Sequence, residues 1–268
     1  MVDFQALVAS ARVTLFASKI QGGVAFDPDR DIPDLEGKVV LVPGGAGDLG
    51  RQVTADPARH GPARLCVADL PRDDDGEPVT IVVLSAGIMR VRPGTTAEGY
   101  EIAFGINCPG HALLTILLLL PTLRRTAEPP DADLRVVAGS SEGHKLASKG
   151  GILFDKLKGP CEDIRYGRSK VAIIEFAREL ARRYPQLKLA AVHPGRIITG
   201  MTRGLRKEIL LFKSSAPISP IFCVSPAVGV RNHLWAATGP DRETAIVKNP
   251  ELSKRSWEWT EKELQGIQ

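Results

Sequence analysis

Tyr166 and Lys170 stand four residues apart in the run Tyr166-Gly167-Arg168-Ser169-Lys170, and at a helix start that spacing sets both side chains on one face. A phenol has an unperturbed pKa of about 10 and is a sluggish base at neutral pH, but an ammonium one turn away favours the phenolate. Upstream, Ser140-Ser141 closes an apolar run, so a serine hydroxyl at a strand end can hold a substrate oxygen while Tyr166 exchanges its proton. His193-Pro194-Gly195 follows a further apolar run downstream. The set suits hydride transfer between an alcohol or ketone and nicotinamide.

A second group of residues suits phosphate. The apolar run at 39–42 leads into Pro43-Gly44-Gly45-Ala46-Gly47-Asp48-Leu49-Gly50, and a helical pattern follows. Glycines in that setting let the backbone approach a pyrophosphate, whose charge the exposed N–H groups of the helix start stabilise. Asp69, 19 residues past Gly50 at the end of a second apolar run, is placed to bind a ribose 2′-hydroxyl. Turn, helix start and acid together predict a dinucleotide-binding fold.

Positioning these residues requires strands that end where they stand. Near-continuous apolar runs at 39–42, 65–68, 80–84, 135–138 and 187–192 read as strands covered on both faces. They alternate with helical patterns, so the expected class is α/β, a doubly wound parallel sheet in a three-layer α/β/α sandwich. Residues 168–183 carry Ile173, Phe176, Ala177 and Leu180 at helical spacing, with Arg178, Glu179, Arg182 and Arg183 on the far side. Ser225-Pro226 opens a helix that closes before Gly239, and Asn249-Pro250 repeats the start signal for a segment reaching Leu264. No repeat or linker divides the chain: residues 1–37 read as an extension wrapped on the domain, and 38–268 as a single domain.

Composition narrows the function classes. The 268 residues are 43% hydrophobic, and 35 basic against 31 acidic side chains leave +4, scattered rather than gathered, which argues against nucleic acid. Cys66, Cys108, Cys161 and Cys223 form no close pair and read as reduced thiols of a cytoplasmic protein, with no metal site. The longest apolar stretch, 112–120, includes Thr115, ends at Pro121 and falls short of the roughly 20 residues of a membrane span. A buried helix, and no transmembrane segment, is expected there. Residues 4–20 lack the order of a secretory signal and read as a helix packed on the domain or frayed, with an amphipathic surface segment as the alternative.

Over residues 36–239 the sequence resembles the short-chain dehydrogenase/reductase family, most closely its retinol-dehydrogenase-like branch. The resemblance lies in the glycine turn, Leu-Ser-Ala-Gly-Ile-Met at 84–89, Asn107, Arg-Val-Val-Ala-Gly-Ser-Ser-Glu-Gly-His at 135–144, the run at 166–170 and Val-His-Pro-Gly-Arg-Ile-Ile-Thr at 192–199. It implies an oxidoreductase using NAD or NADP on a small-molecule alcohol or ketone, without a metal. It implies Tyr166 as the catalytic acid/base, Lys170 as the residue that lowers its pKa and holds the nicotinamide ribose, and Ser141, in preference to Ser140, as the serine orienting the substrate oxygen. Asn107 corresponds to an asparagine that steadies a water beside the lysine. Gly44, Leu49, Gly50, Ser85 and Gly87, with Ile197 and Thr199 at the nicotinamide amide, complete the implied cofactor contacts. Asp69 favours NAD over NADP if it belongs to the second strand. The helices containing 112–120 and 166–180 are the implied subunit contacts of a homodimer or homotetramer. The stretch after Thr199, with Leu205, Ile209, Phe212 and Phe222, fits an apolar substrate.

Several positions depart from the family pattern. Pro43 replaces a threonine whose hydroxyl ties the turn in place. Asp48 replaces a glycine; a carboxylate about 4 Å from a phosphate charge costs on the order of 4 kcal/mol at an effective dielectric near 20, unless Asp48 instead caps its own helix. The family's Asn-Asn-Ala-Gly reads Leu84-Ser85-Ala86-Gly87, and Pro57 predicts a helix that ends or kinks near Asp56. Residues 70–79, loop-like in composition, are too few for two crossovers and a strand. The family's third strand and its flanking helices are therefore expected to be missing, leaving the second strand at the sheet edge. A similar shortening is expected after Gly239, where 244–247 is the only candidate for the last strand. These departures support a rival expectation, a catalytically impaired member that serves as an interaction scaffold.

Overall fold

The computed structural model describes residues 26–68, 80–89, 93–147, 150–159, 165–195, 197, 224–240 and 250–265. Five apolar runs pair as parallel strands: β1 (Val39–Pro43), β2 (Arg64–Ala68), β3 (Ile81–Leu84), β4 (Arg135–Gly139) and β5 (Lys188–Val192), in the order β2-β1-β3-β4-β5. Alternation along the strands divides the core into two layers. Val40, Val42, Ile81, Val83 and Val137 face one side, while Val82, Leu84, Val136 and Ala138 face the other. Helices cover both faces, giving the doubly wound three-layer α/β/α fold.

The first layer holds α1 (Pro28–Asp31), α2 (Asp48–Ala58), α5 (Pro226–Gly229) and α6 (Arg231–Thr238). Phe26, Ile32 and Leu35 are buried there beside Val53, Val230 and Leu234, so this part of the leading extension belongs to the core. Pro57 does not stop α2 at Asp56. The helix runs to Ala58, and Asp56 steadies that last turn by accepting hydrogen bonds from Gln52 and Arg59.

The second layer holds α3 (Ile102–Thr126), α4 (Arg165–Arg183) and α7 (Pro250–Gln265). Buried Glu101 starts α3 by accepting from the N–H groups of Ala103 and Phe104, satisfying two donors that a helix start leaves open. The helix does not end at Pro121. Residues Leu114–Leu119 widen into a π-helical stretch, Leu120 N–H bonds Thr115 O, and an α-helical segment from Leu120 carries Pro121 in its first turn, where a missing N–H is tolerated. The apolar helix is thus longer than residues 112–120 suggest, and α3 is long and apolar enough to cross a membrane by length and composition. It is also a core helix of the domain, since Phe104, Ala112 and Leu123 are buried against the sheet and α4. Trp257 of α7 stacks on Phe176 of α4, ring centroids 5.6 Å apart, so α7 lies on the helix that the resemblance assigns to subunit contact.

The strand order reverses between β1 and β3, and their C-terminal ends form the crevice where doubly wound sheets bind ligands. Among the described residues β2 is the outermost strand on its side. Asp69, Thr199, Cys161, Cys223 and residues 4–20, 70–79, 200–223 and 244–247 lie outside the described residues.

Candidate functional site

The glycine turn leaves β1 at Pro43, whose carbonyl accepts from the N–H groups of Ser85 and Ala86 just past β3. Gly44 adopts φ +80°, and a Cβ there would overlap the backbone of Ala86; a Cβ on Gly50 would overlap the carbonyl of Gly44. No side chain larger than hydrogen is compatible with either contact. The N-cap of α2 is Gly47, with no side-chain cap, so Asp48 is the first helical residue rather than the cap. Its carboxylate is exposed at the helix start. Leu49 is partly buried against the first-layer core. Beyond β3, Ser85 Oγ is buried without a hydrogen-bond partner.

Tyr166 lies in the first turn of α4 and Ser141 just past the end of β4, and the serine hydroxyl stands beside the phenol, where it favours the phenolate. Ser141 Oγ also accepts from Gly143 N–H at 3.1 Å, as N-cap of the short 3-10 turn Glu142–Leu146. Ser140 points elsewhere: its buried hydroxyl donates to Lys170 O at 3.2 Å. The two adjacent serines are thereby separated, with Ser141 at the phenol and Ser140 anchoring α4.

Lys170, one turn beyond Tyr166, is buried, and its Nζ donates to Gly139 O at 2.8 Å. Burial lowers its pKa to about 8, so the ammonium is still charged at neutral pH. Nζ lies over the face of the Tyr166 ring, 5.5 Å from its centroid. Tyr166 itself is raised above 10, because burial outweighs the hydrogen bond from Ser141. The lowering that sequence spacing predicts from Lys170 is therefore not what this geometry gives, since the cation sits against the ring and is held by a carbonyl.

Asn107 is fully buried. Its Oδ1 accepts from Ile88 N–H at 2.7 Å, and its Nδ2 donates to Ile88 O and to Ser169 Oγ, each at 2.9 Å. A side chain expected near a water thus ties the exit of β3 to α4. Gly87 lies where a Cβ would be 3.2 Å from Asn107 Oδ1 and 3.7 Å from Lys170 Nζ. Ile197 is buried and its side chain lies against Gly229 at the end of α5.

Sequence reasoning missed three residues here. His111, one turn after Asn107, is buried with Nε2 2.9 Å from Ala86 O; the shared helix face at i and i+4 was the available signal. Gly143 leaves room for the phenol, since a Cβ would stand 3.0 Å from Tyr166 Cε1 and 3.4 Å from Ser141 Oγ. His233 of α6 is fully buried near Gly139, neither ring nitrogen has a partner, and burial lowers its pKa to about 4. Burial also pushes the Cys108 thiol up to about 12, so it remains protonated. Among the described residues no His, Cys, Asp and Glu cluster could hold a metal ion.

No family model matches the chain. An uncharacterized oxidoreductase of Schizosaccharomyces pombe is 33% identical over 79% of this chain and 75% of its own length. A short-chain dehydrogenase/reductase of Penicillium rubens is 30% identical over 83% of this chain and 68% of its own length. Mouse retinol dehydrogenase 12 is 36% identical over 66% of this chain, though the match spans only 54% of that protein. Among solved structures, an uncharacterized protein from Mycobacterium paratuberculosis superposes with TM-score 0.64 at 22% identity, over 90% of this chain and 98% of its own. The NADPH-bound carbonyl reductase from chicken fatty liver superposes with TM-score 0.56 at 16% identity, over 80% and 92%.

Proposed function

The chain belongs to the short-chain dehydrogenase/reductase family, and from that premise we propose that it is an oxidoreductase of an alcohol or carbonyl substrate, with a nicotinamide dinucleotide as its cofactor. The observation that carries this reading is that Ser141 and the Lys170 ammonium both stand beside the Tyr166 phenol ring. Bound cofactor would supply or accept the hydride. The chain's own residues handle the oxygen and its proton. Ser141 holds the substrate oxygen by a hydrogen bond, and Tyr166, protonated at neutral pH, donates to that oxygen during reduction. In oxidation Tyr166 must act as phenolate, the form that the neighbouring Ser141 hydroxyl favours.

The residues fit such a cofactor. Gly44 and Gly50 keep the turn close to the backbone, and the start of α2 leaves N–H groups without helical partners for a pyrophosphate. Ser85 Oγ, buried and unpartnered at the crevice, can take a ribose hydroxyl. The Lys170 ammonium keeps donors beyond the one given to Gly139 O for the second ribose. Within this reading, Asp69 favours NAD over NADP, and the residues after Thr199 favour an apolar substrate.

Titration with NADH and NADPH, followed by nicotinamide fluorescence, tests the proposal. Binding in the micromolar range is expected, and no binding of either nucleotide at millimolar concentration would overturn it. One observation favours the rival reading of an impaired scaffold: the exposed Asp48 carboxylate at the start of α2, where a pyrophosphate would dock. Asp48→Gly separates the two. A gain of tenfold or more in nucleotide affinity means that the carboxylate opposes binding, and unchanged affinity removes the main ground for impairment.

A further inference from the structure

The helix beneath the crevice holds the exit of β3 by two side chains one turn apart. Asn107 binds both the N–H and the carbonyl of Ile88, and His111 Nε2 lies 2.9 Å from Ala86 O. A carbonyl oxygen only accepts, so the His111 proton is on Nε2. Burial lowers the imidazole to about 4, and the nearby Lys170 charge acts in the same direction, so the ring is a neutral donor throughout the working range of pH. Ala86 in turn gives its N–H to Pro43 O at 2.9 Å, and Gly44 packs directly against its backbone. The chain of contact therefore runs from His111 through Ala86 to the glycine turn.

Between the two clamped residues lies Gly87, whose open side faces Asn107 and Lys170 Nζ. The peptide at 86–88 thus forms a bridge between the glycine turn and the lysine, fixed from below by Asn107 and His111. We propose that His111 is a positioning residue: by holding Ala86 O it sets the seat of the glycine turn, and with it the affinity for the dinucleotide. The inference rests on the reading that this turn takes a nicotinamide dinucleotide. A residue that merely fills space here could be replaced by leucine; a residue that acts through its N–H could not.

The test compares the wild-type chain with His111→Leu and His111→Gln, the glutamine amide offering an N–H at similar reach. Nucleotide affinity is measured by fluorescence titration at a temperature where all three are folded, and hydrogen exchange of the segment 84–89 is measured without nucleotide. His111→Leu is expected to raise the NADH or NADPH Kd at least tenfold and to speed exchange at 84–89 while β1 is unchanged. His111→Gln is expected to restore both to near wild type. Wild-type affinity in His111→Leu, or equal impairment of the two variants, overturns the proposal. The exchange arm keeps the two ideas apart. If wild type binds neither nucleotide while the exchange pattern is as expected, the cofactor reading fails and the role in affinity falls with it; if wild type binds and exchange at 84–89 is uniform across variants, the clamp alone fails.

Discussion

At the scale of single residues, Ser141, Tyr166 and Gly143 form one unit. The space left by the missing Gly143 side chain borders both the phenol ring and the serine hydroxyl. Tyr166→Phe removes the phenol hydroxyl while keeping the ring under Lys170. Turnover is expected to fall by about 100-fold or more, the contribution of a positioned acid or base, with nucleotide Kd changed by less than about threefold. Retained turnover would remove Tyr166 from the acid/base role. Gly143→Ala is a subtler test, because a Cβ 3.0 Å from Tyr166 Cε1 must displace the ring or the strand exit by a few tenths of an ångström. Since small displacements of reacting groups cost rate steeply, kcat should drop about tenfold while nucleotide affinity and thermal stability stay near wild type. An unchanged kcat would mean that the ring has slack the static contact does not reveal.

At the scale of elements, the apolar runs announced all five strands to within a residue or two, because a strand covered on both faces has little room for polar side chains. The start of α4, the serine at the end of β4 and the glycine turn were legible for the same reason: each follows a strand whose end could be read. The continuation of α3 past Pro121 was not legible, since a π-helical stretch is a hydrogen-bond register and leaves no residue signature. His111 and Gly143 were missed because their partners, Ala86 and Tyr166, reach them only once the sheet has formed. The last helix, α7, was legible from its cap, but its attachment was not. Trp257, 1% exposed, stacks on Phe176, with the Arg183 guanidinium 4.8 Å from its ring centroid. Trp257→Ala is expected to cost about 3–5 kcal/mol, lowering Tm by roughly 10 °C at about 2–4 °C per kcal/mol. A loss of under about 1 kcal/mol in urea unfolding would mean that α7 is not held by this ring.

At the scale of the whole molecule, two buried histidines make stability depend on pH in a definite direction. His111 and His233 are lowered from 6.5 to about 4 by burial, one donating to a carbonyl and the other without partners. As pH falls below 6.5 the unfolded chain takes up these protons first, while the folded chain takes them up only near pH 4. Proton binding therefore favours unfolding across that window: the stability is fully present above pH 6.5 and is lost progressively toward pH 4. At about 1.36 kcal/mol per pKa unit, each ring can remove on the order of 3 kcal/mol by the end of the window, a large part of a typical domain's stability. Lys170, lowered to about 8, has the same sign at the alkaline end, where the unfolded chain holds its proton longer and stability rises with pH from 8 to 10.5. The carboxylates of Asp133 and Glu179, held low by their arginine and lysine partners, add losses below the histidine window. Urea unfolding at pH 7.5 and 5.0 isolates the histidines. The wild-type chain should lose several kcal/mol between those values, and the double variant His111→Gln, His233→Gln, which cannot be charged at either position, should lose much less. Equal losses in the two proteins would place the acid sensitivity elsewhere.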